Sequence, residues 1–245
     1  MLVEELINEV RGDAKGKKIE KVVVGISYVG VVNELKEMGL AFVFRDQLGY
    51  HCEVSEYAGE MPKEAERLLD FALSPNPLDS SIGIATINSF CKPEKYEKGD
   101  LLDLLDIRRE DVIGMVGYFG PFIKKLKDRV KGIYVFEKGV FDLPFVYPDW
   151  AVELLLPRVD VAIITGTSVI NKTIDHLLGL ASNARSIAVV GPSTPLITKP
   201  FFKRGVSILS GVLVRDVDLA LKIIVEGGGT MKLNRAVEKV NIVKD

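Results

Sequence analysis

Five short apolar runs, at 112–116, 133–136, 161–165, 187–190 and 206–209, constrain this chain more than any other feature. Each is nearly continuous rather than alternating. Strands read this way when both faces are buried, which happens in parallel sheets covered by helices on each side. Helical candidates lie between and around them at 121–130, 149–156, 170–180, 199–203 and 216–226. Strand–helix alternation with short connections predicts an α/β, doubly wound, Rossmann-like domain with a mainly parallel sheet over residues 101–245.

The first hundred residues follow a different grammar. Leu2, Leu6, Ile7 and Val10 form one helical stripe. The stretch 21–32 (KVVVGISYVGVV) reads as one strand, 40–45 as a second, and a turn at Asn33–Glu34 suits an antiparallel hairpin. Pro62 opens a helix to about Ala72, and Asp79 or Ser80 caps another that carries Ile82, Ala85, Ile87 and Phe90. An α+β domain over 1–100 is expected, ending in the polar linker CKPEKYEKGD (91–100), whose charges read as a solvated face.

Charge removes some functions. With 32 Lys+Arg against 34 Asp+Glu the net charge is −2, and no basic, aromatic-interleaved stripe stands out, so a nucleic-acid role is disfavoured. No apolar run has membrane-spanning length and no signal-peptide core precedes Arg11, so a cytoplasmic protein is expected. Two cysteines, Cys52 and Cys91, make no disulfide framework, which fits a reducing compartment. A single glutamine, Gln47, beside abundant Lys and Glu gives a thermophile-like composition.

In an open parallel sheet ligands bind beyond the carboxyl ends of the strands. Those exits are Gly117-Tyr118-Phe119-Gly120-Pro121, Glu137-Lys138-Gly139, Thr165-Gly166-Thr167-Ser168, Gly191-Pro192-Ser193-Thr194-Pro195 and Ser210-Gly211. Thr165-Gly166-Thr167 entering a helix can offer hydroxyls and N–H groups to an anion, with Asn171 in reach; equally, Thr167 or Ser168 simply caps that helix. The Gly191–Pro195 loop is stiffened by two prolines and suits a preformed ligand wall or plain loop construction. Glu137 is the sharpest residue: it can bind a ribose hydroxyl, ligate a metal or act as a general base, or it pairs with Lys138 in solvent.

Familiar motifs are missing. Gly114-x-x-Gly117-x-x-Gly120 is not the dinucleotide fingerprint, and there is no Walker A, H-E-x-x-H or G-x-S-x-G sequence. His51-Cys52 is the one close pair of soft ligands, but neighbours in a strand point to opposite faces. Cys91 reads as a small buried hydrophobe and His176 as a packed or surface side chain, so a classical zinc site is not expected.

Several segments resemble a known family. They are Gly39-Leu40-Ala41, Ala85-Thr86-Ile87-Asn88, Val116 to Pro121, Glu137, Asp160 through Asn171 (DVAIITGTSVIN), Gly191 to Pro195, Gly205-Val206 and Gly211. Together they are similar to the uncharacterised proteins whose signature is called the putative heavy-metal chelation domain, and the match runs along nearly the whole chain. The resemblance implies an enolase-N-terminal-like domain over 1–100 followed by a Rossmann-like domain over 101–245, with a site in the cleft between them. It also implies a suggested role in handling heavy metals and a suggested link to corrinoid synthesis. Carried onto this chain, the cleft residues are Asn88, Gly117, Phe119, Glu137, Thr165, Gly166, Thr167, Asn171, Gly191, Pro192 and Ser193. These types suit a polar or anionic ligand better than direct chelation of a soft ion.

Three functions follow as expectations. The first is a binding protein for a divalent metal ion, a metal complex or an anionic small molecule, with Glu137 contacting the metal or a polar group. The second is a transferase or lyase of cofactor biosynthesis with Glu137 as acid/base. The third is a non-catalytic interaction scaffold. Self-association into a homo-oligomer is compatible with all three, and the sequence marks no interface for it.

Overall fold

The computed structural model describes residues 1–49, 54–139 and 142–244. His51 and Cys52 lie outside the described residues. The chain opens with α1 (Leu2–Ala14), whose stripe Leu2, Val3, Leu6, Ile7, Val10 and Ala14 is buried. Three strands follow, β1 (Ile19–Val24), β2 (Tyr28–Asn33) and β3 (Met38–Phe42), pairing antiparallel in the order β1-β2-β3. The run expected as one strand over 21–32 is therefore a hairpin. Its turn, Gly25-Ile26-Ser27, carries an exposed isoleucine, 60% accessible, so no polar break marks it.

Two helices complete this part, α2 (Ala65–Asp70) and α3 (Pro77–Ser89). The α3 cap is Asn76 rather than Asp79 or Ser80. Asn76 Oδ1 accepts the N–H groups of Leu78 (2.8 Å) and Asp79 (3.3 Å), with Pro77 in the first turn where no N–H is missed. Gly39 lets β3 lie directly on α3: a Cβ there would stand 2.0 Å from the Ala85 carbonyl oxygen and 2.3 Å from the Ser89 nitrogen.

The polar stretch after α3 is not merely solvated. Glu97 exchanges two backbone hydrogen bonds with Asn241, at 2.7 and 2.8 Å, and Tyr96 Oη accepts from Arg215 at 3.0 Å.

The remaining elements are α4 (Leu101–Leu104), β4 (Val112–Val116), α5 (Gly120–Leu126), β5 (Gly132–Glu137), β6 (Val146–Pro148), α6 (Val152–Leu155) and β7 (Val161–Thr165). After them come α7 (Thr167–Ile170), α8 (Ile174–Leu180), β8 (Ser186–Val190), α9 (Thr198–Phe202), β9 (Ile208–Val214), α10 (Val217–Val225), α11 (Thr230–Leu233) and β10 (Val237–Val243). The sheet order is β10-β9-β8-β7-β4-β5-β6, parallel except for β10 against β9. Chain order reverses between β4 and β7, which makes that crevice the topological switch point. The mainly parallel sheet expected from the apolar runs is present. Two edge strands, β6 and β10, carry no such run, so the apolar pattern does not mark them. The helix expected over 170–180 is broken at residues 171–173, where Lys172 holds a left-handed φ of 61°.

The two sheets share helices. One face of the small sheet is covered by α3, and the other by α10, which buries Ala220, Ile223 and Ile224 against Tyr28, Val32, Met38 and Leu40. That explains why β2 is buried at every position. Each large aliphatic side chain removed from water there contributes about 1.5–3 kcal/mol. Polar bonds reinforce the joint: Arg204 reaches Glu5 at 2.8 Å, and Asp175 accepts the Leu2 N–H at 2.9 Å.

Candidate functional site

The exits of the parallel strands gather most of the residues the sequence singles out. Gly117, at the end of β4, has φ +101°, and a Cβ on it would meet Thr165 Cβ at 3.2 Å and the Phe119 ring at 3.6 Å. Gly117, Phe119 and Thr165 thus lie together at the switch point. Glu137, at the end of β5, accepts the Tyr118 N–H at 3.1 Å through one carboxylate oxygen and the Lys138 N–H at 2.8 Å through the other. It ties two neighbouring exits together. The expected side-chain pairing with Lys138 is replaced by this backbone contact.

At the end of β7, the hydroxyls of Thr165 and Thr167 lie 3.0 Å apart, and Thr165 Oγ1 also accepts the Thr167 N–H at 3.3 Å. Ser168 Oγ donates to the Thr165 carbonyl at 2.6 Å. These groups close the turn on themselves, and α7 has only four residues. Asn171 ends that helix, and its Oδ1 accepts from the Thr173 N–H (3.2 Å) and hydroxyl (2.7 Å). That oxygen is spent on the turn that breaks 170–180 into two helices.

The loop after β8 carries the contact between the two sheets. Gly191 turns the chain with φ +120°. Ser193, 1% exposed, accepts the Phe42 N–H at 2.9 Å and so fastens the loop to the edge strand β3. Gly166 abuts the next residue: a Cβ on it would fall 2.4 Å from Thr194 Oγ1.

Between this loop, β3, the end of α3 and the end of β9 is a cavity of about 50 Å³. Its walls include Leu40, Asn88, Cys91, Pro192, Thr194 and Arg215. Asn88 and Pro192, expected to face one cleft from the two parts of the chain, do line the same space. Asn88 donates through Nδ2 to the Leu40 carbonyl at 2.8 Å, which fixes the amide's orientation and leaves Oδ1 buried with no donor. Thr194 is 3% exposed, and its Oγ1 also lacks a partner. Buried polar atoms are nearly always bonded, and each one left bare costs about 1–3 kcal/mol. The residues that carry these atoms, Asn88 and Thr194, both line the cavity, while the two oxygens themselves are enclosed by protein.

Cys91 Sγ donates to the Ile87 carbonyl at 3.4 Å, and burial pushes its thiol up to about 12. At neutral pH Cys91 is therefore a thiol, in a lining that also carries Glu37 and Arg215. Arg215, at the rim, is engaged by Glu238 and Tyr96. Among the described residues no group of three or more His, Cys, Asp or Glu side chains is placed to hold a metal ion. His176 pairs with Glu153 at 2.6 Å on an exposed face, away from any ligand set. Thr194 and Cys91 were missing from the expected site. Thr194 lies inside the Gly191–Pro195 loop, but only the fold shows that its hydroxyl is unpaired.

Comparison with known proteins gives a consistent picture. The family model DUF364, described as "Putative heavy-metal chelation", matches residues 100–243. A second model with the same description, DUF4213, matches residues 4–91. An uncharacterized protein of Methanocaldococcus jannaschii is 28% identical over 201 residues, which cover 77% of this chain and 74% of that protein. A crystal structure of a DUF364-family protein of unknown function from Pyrococcus horikoshii has the same fold, with a TM-score of 0.87 at 22% identity over 100% of both chains. Another of unknown function, from Desulfitobacterium hafniense, gives 0.84 at 25% identity over 99% of this chain and 97% of that one.

Proposed function

The chain belongs to the DUF364 family, whose description is putative heavy-metal chelation, and on that premise we propose that it binds a small metal-bearing or polar ligand between its two parts. One observation carries this reading. Asn88 Oδ1, from the N-terminal part, and Thr194 Oγ1, from the C-terminal part, are buried acceptors without donors, and the two residues line one cavity. A ligand bonded to both would recover the cost of burying them and would link the two parts of the chain. The antiparallel three-stranded sheet and its helices would then serve, as an enolase-N-terminal-like domain, to close the Rossmann-like domain's strand ends. Of the other expected residues Pro192 lines the cavity, and Gly117, Phe119, Thr165, Gly166, Thr167 and Gly191 belong to the strand exits outside its walls. Ser193 and Asn171 hold the loops that frame it.

Glu137 takes a positioning part here. Both its oxygens are occupied by backbone donors from two strand exits, so the binding reading is favoured over one in which it transfers a proton. A donor set of neutral oxygens with a single thiol does not suit a closed zinc-type centre. It suits a metal delivered with its own ligands, or an ion bound at few points.

The test is native mass spectrometry of the purified chain, with elemental analysis after exposure to a panel of metal salts and to metal complexes of small chelators. A retained mass or stoichiometric metal that is lost in Asn88→Ala supports the proposal. Retention that is identical in Asn88→Ala and Thr194→Val, or no retention at all, overturns it.

A further inference from the structure

Among the described residues the two sheets end in four edge strands, and three of these are closed or cut short. β3 is tied through Phe42 to Ser193, β10 exchanges bonds through Asn241 with Glu97, and β6 is three residues long and ends in Pro148. The fourth, β1, is different. Just beyond it the Gly25 N–H donates to the Tyr28 carbonyl at 2.9 Å, and Val23 and Lys21 stand opposite Gly30 and Val32. Bonded and unbonded positions alternate along an antiparallel pair, so Lys21, Val23 and Gly25 turn their N–H and C=O groups to β2, while Val22 and Val24 turn theirs outward. No bond meets those outward groups among the described residues. Val24, Ile26 and Val225 are exposed apolar side chains on and around this edge. A free apolar edge is a template for another strand.

We infer that β1 pairs antiparallel with β1 of a second copy about a twofold axis at Val23, joining two three-stranded sheets into one of six strands. Val22 and Val24 then exchange main-chain bonds with the partner's Val24 and Val22, and Lys21 stands opposite the partner's Gly25. Charge fixes this register. An axis at Lys21 sets two ammonium groups opposite each other, and an axis at Val22 leaves them diagonal neighbours. Ile19 donates to the Lys63 carbonyl at 2.7 Å, which closes the edge below residue 20 and confines pairing to the valine run.

The same register gives Lys21 a counterpart. Lys21, Val23 and Gly25 share the face that α10 covers. Val23 packs with Ala220, Ile223 and Ile224, and a Cβ on Gly25 would fall 2.4 Å from the Ile224 carbonyl oxygen. The last turn of α10 therefore stands over Gly25, and the helix ends at Glu226. Across the axis, the exposed Lys21 comes beside the C-terminal end of the partner's α10. A cation is favoured there by the helix dipole and by Glu226, which on its own helix has only Lys222, at 4.0 Å. A lysine on an edge discourages pairing with arbitrary strands. Here its counterpart belongs to this chain, which selects a second copy over other partners.

The experiment is sedimentation equilibrium with native mass spectrometry on the full chain at micromolar concentration. A dimer is expected. Lys21→Glu and Glu226→Lys should each raise its dissociation constant at least about tenfold, and the double variant should bind tighter than either single one by at least about threefold. Val22→Pro removes only an outward N–H, so the chain should become monomeric while its circular dichroism matches the parent's. If that variant fails to fold, the charge series decides alone. A parent chain that stays monomeric overturns the inference. So does a folded Val22→Pro protein that dimerises as tightly as the parent, because the contact then lies on another face. A dimer indifferent to both charge reversals, or one that the double variant does not restore, overturns it as well.

Discussion

The Phe42 N–H and the Ser193 hydroxyl oxygen meet at 2.9 Å, joining the edge strand of the small sheet to the loop that leaves β8. Ser193 is buried, so Ser193→Ala leaves the Phe42 N–H without an acceptor. A loss of about 1–2 kcal/mol is expected, read as a lower urea midpoint at unchanged m-value. Ser193→Thr, which keeps the oxygen, should lose less than Ser193→Ala if the bond rather than the volume matters.

Two glycines should respond in opposite directions to alanine. At Gly39 the new methyl would strike the α3 backbone, 2.0 Å from the Ala85 oxygen, and no flexible side chain can yield there. Gly39→Ala should cost more than about 3 kcal/mol or prevent folding. Gly179, inside α8, has nothing within 4 Å of its would-be Cβ. Gly179→Ala should raise stability by about 0.5–1 kcal/mol, because alanine loses less freedom in a helix. Parallel thermal unfolding of the two variants checks both signs.

Asp111 is 2% exposed, yet it stays ionised. Burial pushes its carboxyl upward, but the Arg185 guanidinium at 2.8 Å and the Arg108 N–H at 2.7 Å more than offset this and hold it below the usual range. Arg185→Met removes the counter-charge and leaves the carboxylate buried, with an expected loss of about 3 kcal/mol at pH 7. Because the folded carboxyl titrates lower than the unfolded one, the contribution is full above about pH 4 and fades as pH falls through the folded value. The gap between wild type and variant should therefore shrink in acid, as followed by urea titrations from pH 7 to pH 3.

Lys172 crosses the joint: its ammonium donates to the Ser74 carbonyl at 2.7 Å, the Ser80 hydroxyl at 2.6 Å and the Ile170 carbonyl at 3.0 Å. Burial lowers it to about 8. Between about pH 8 and the unfolded value near 10.4 the unfolded chain binds more protons, so this group makes stability rise with pH by on the order of 2 kcal/mol. Lys172→Met should lack that rise. The quantity to measure is the difference between the two stability curves from pH 7 to pH 10, which cancels the other titrating groups. A constant difference across that range would contradict the assignment.

The parallel sheet was legible because its strands announce themselves. Ile113, Met115, Val161, Ile163 and Val189 are buried within short apolar runs that only a doubly covered sheet accommodates. The edge strands were not, since Val237-Glu238-Lys239 and Val146-Tyr147-Pro148 have one covered face or little length, and pairing rather than composition makes them strands. The hairpin inside 21–32 was hidden because α10 covers the face that a solvent-exposed sheet would make polar.

The candidate residues divide in the same way. Glycines and hydroxyls at strand ends can be located from sequence, since the strands themselves are visible. Their partners cannot. Glu137 turned onto backbone N–H groups, and Asn171 closing its own turn, are outcomes of loop geometry. Cys91 and Thr194 lie more than a hundred residues apart and become neighbours only when α3 and the loop after β8 close on one cavity.

By itself, then, the sequence determined the layered α/β architecture, the position of the strand exits and the chemical types gathered there, because periodicity and burial are local properties of the chain. The tertiary structure alone decided which polar atoms found partners and which did not. Hydrogen-bond satisfaction depends on contacts between segments distant in sequence, and Asn88 Oδ1 and Thr194 Oγ1 are left bare by packing that no local pattern encodes.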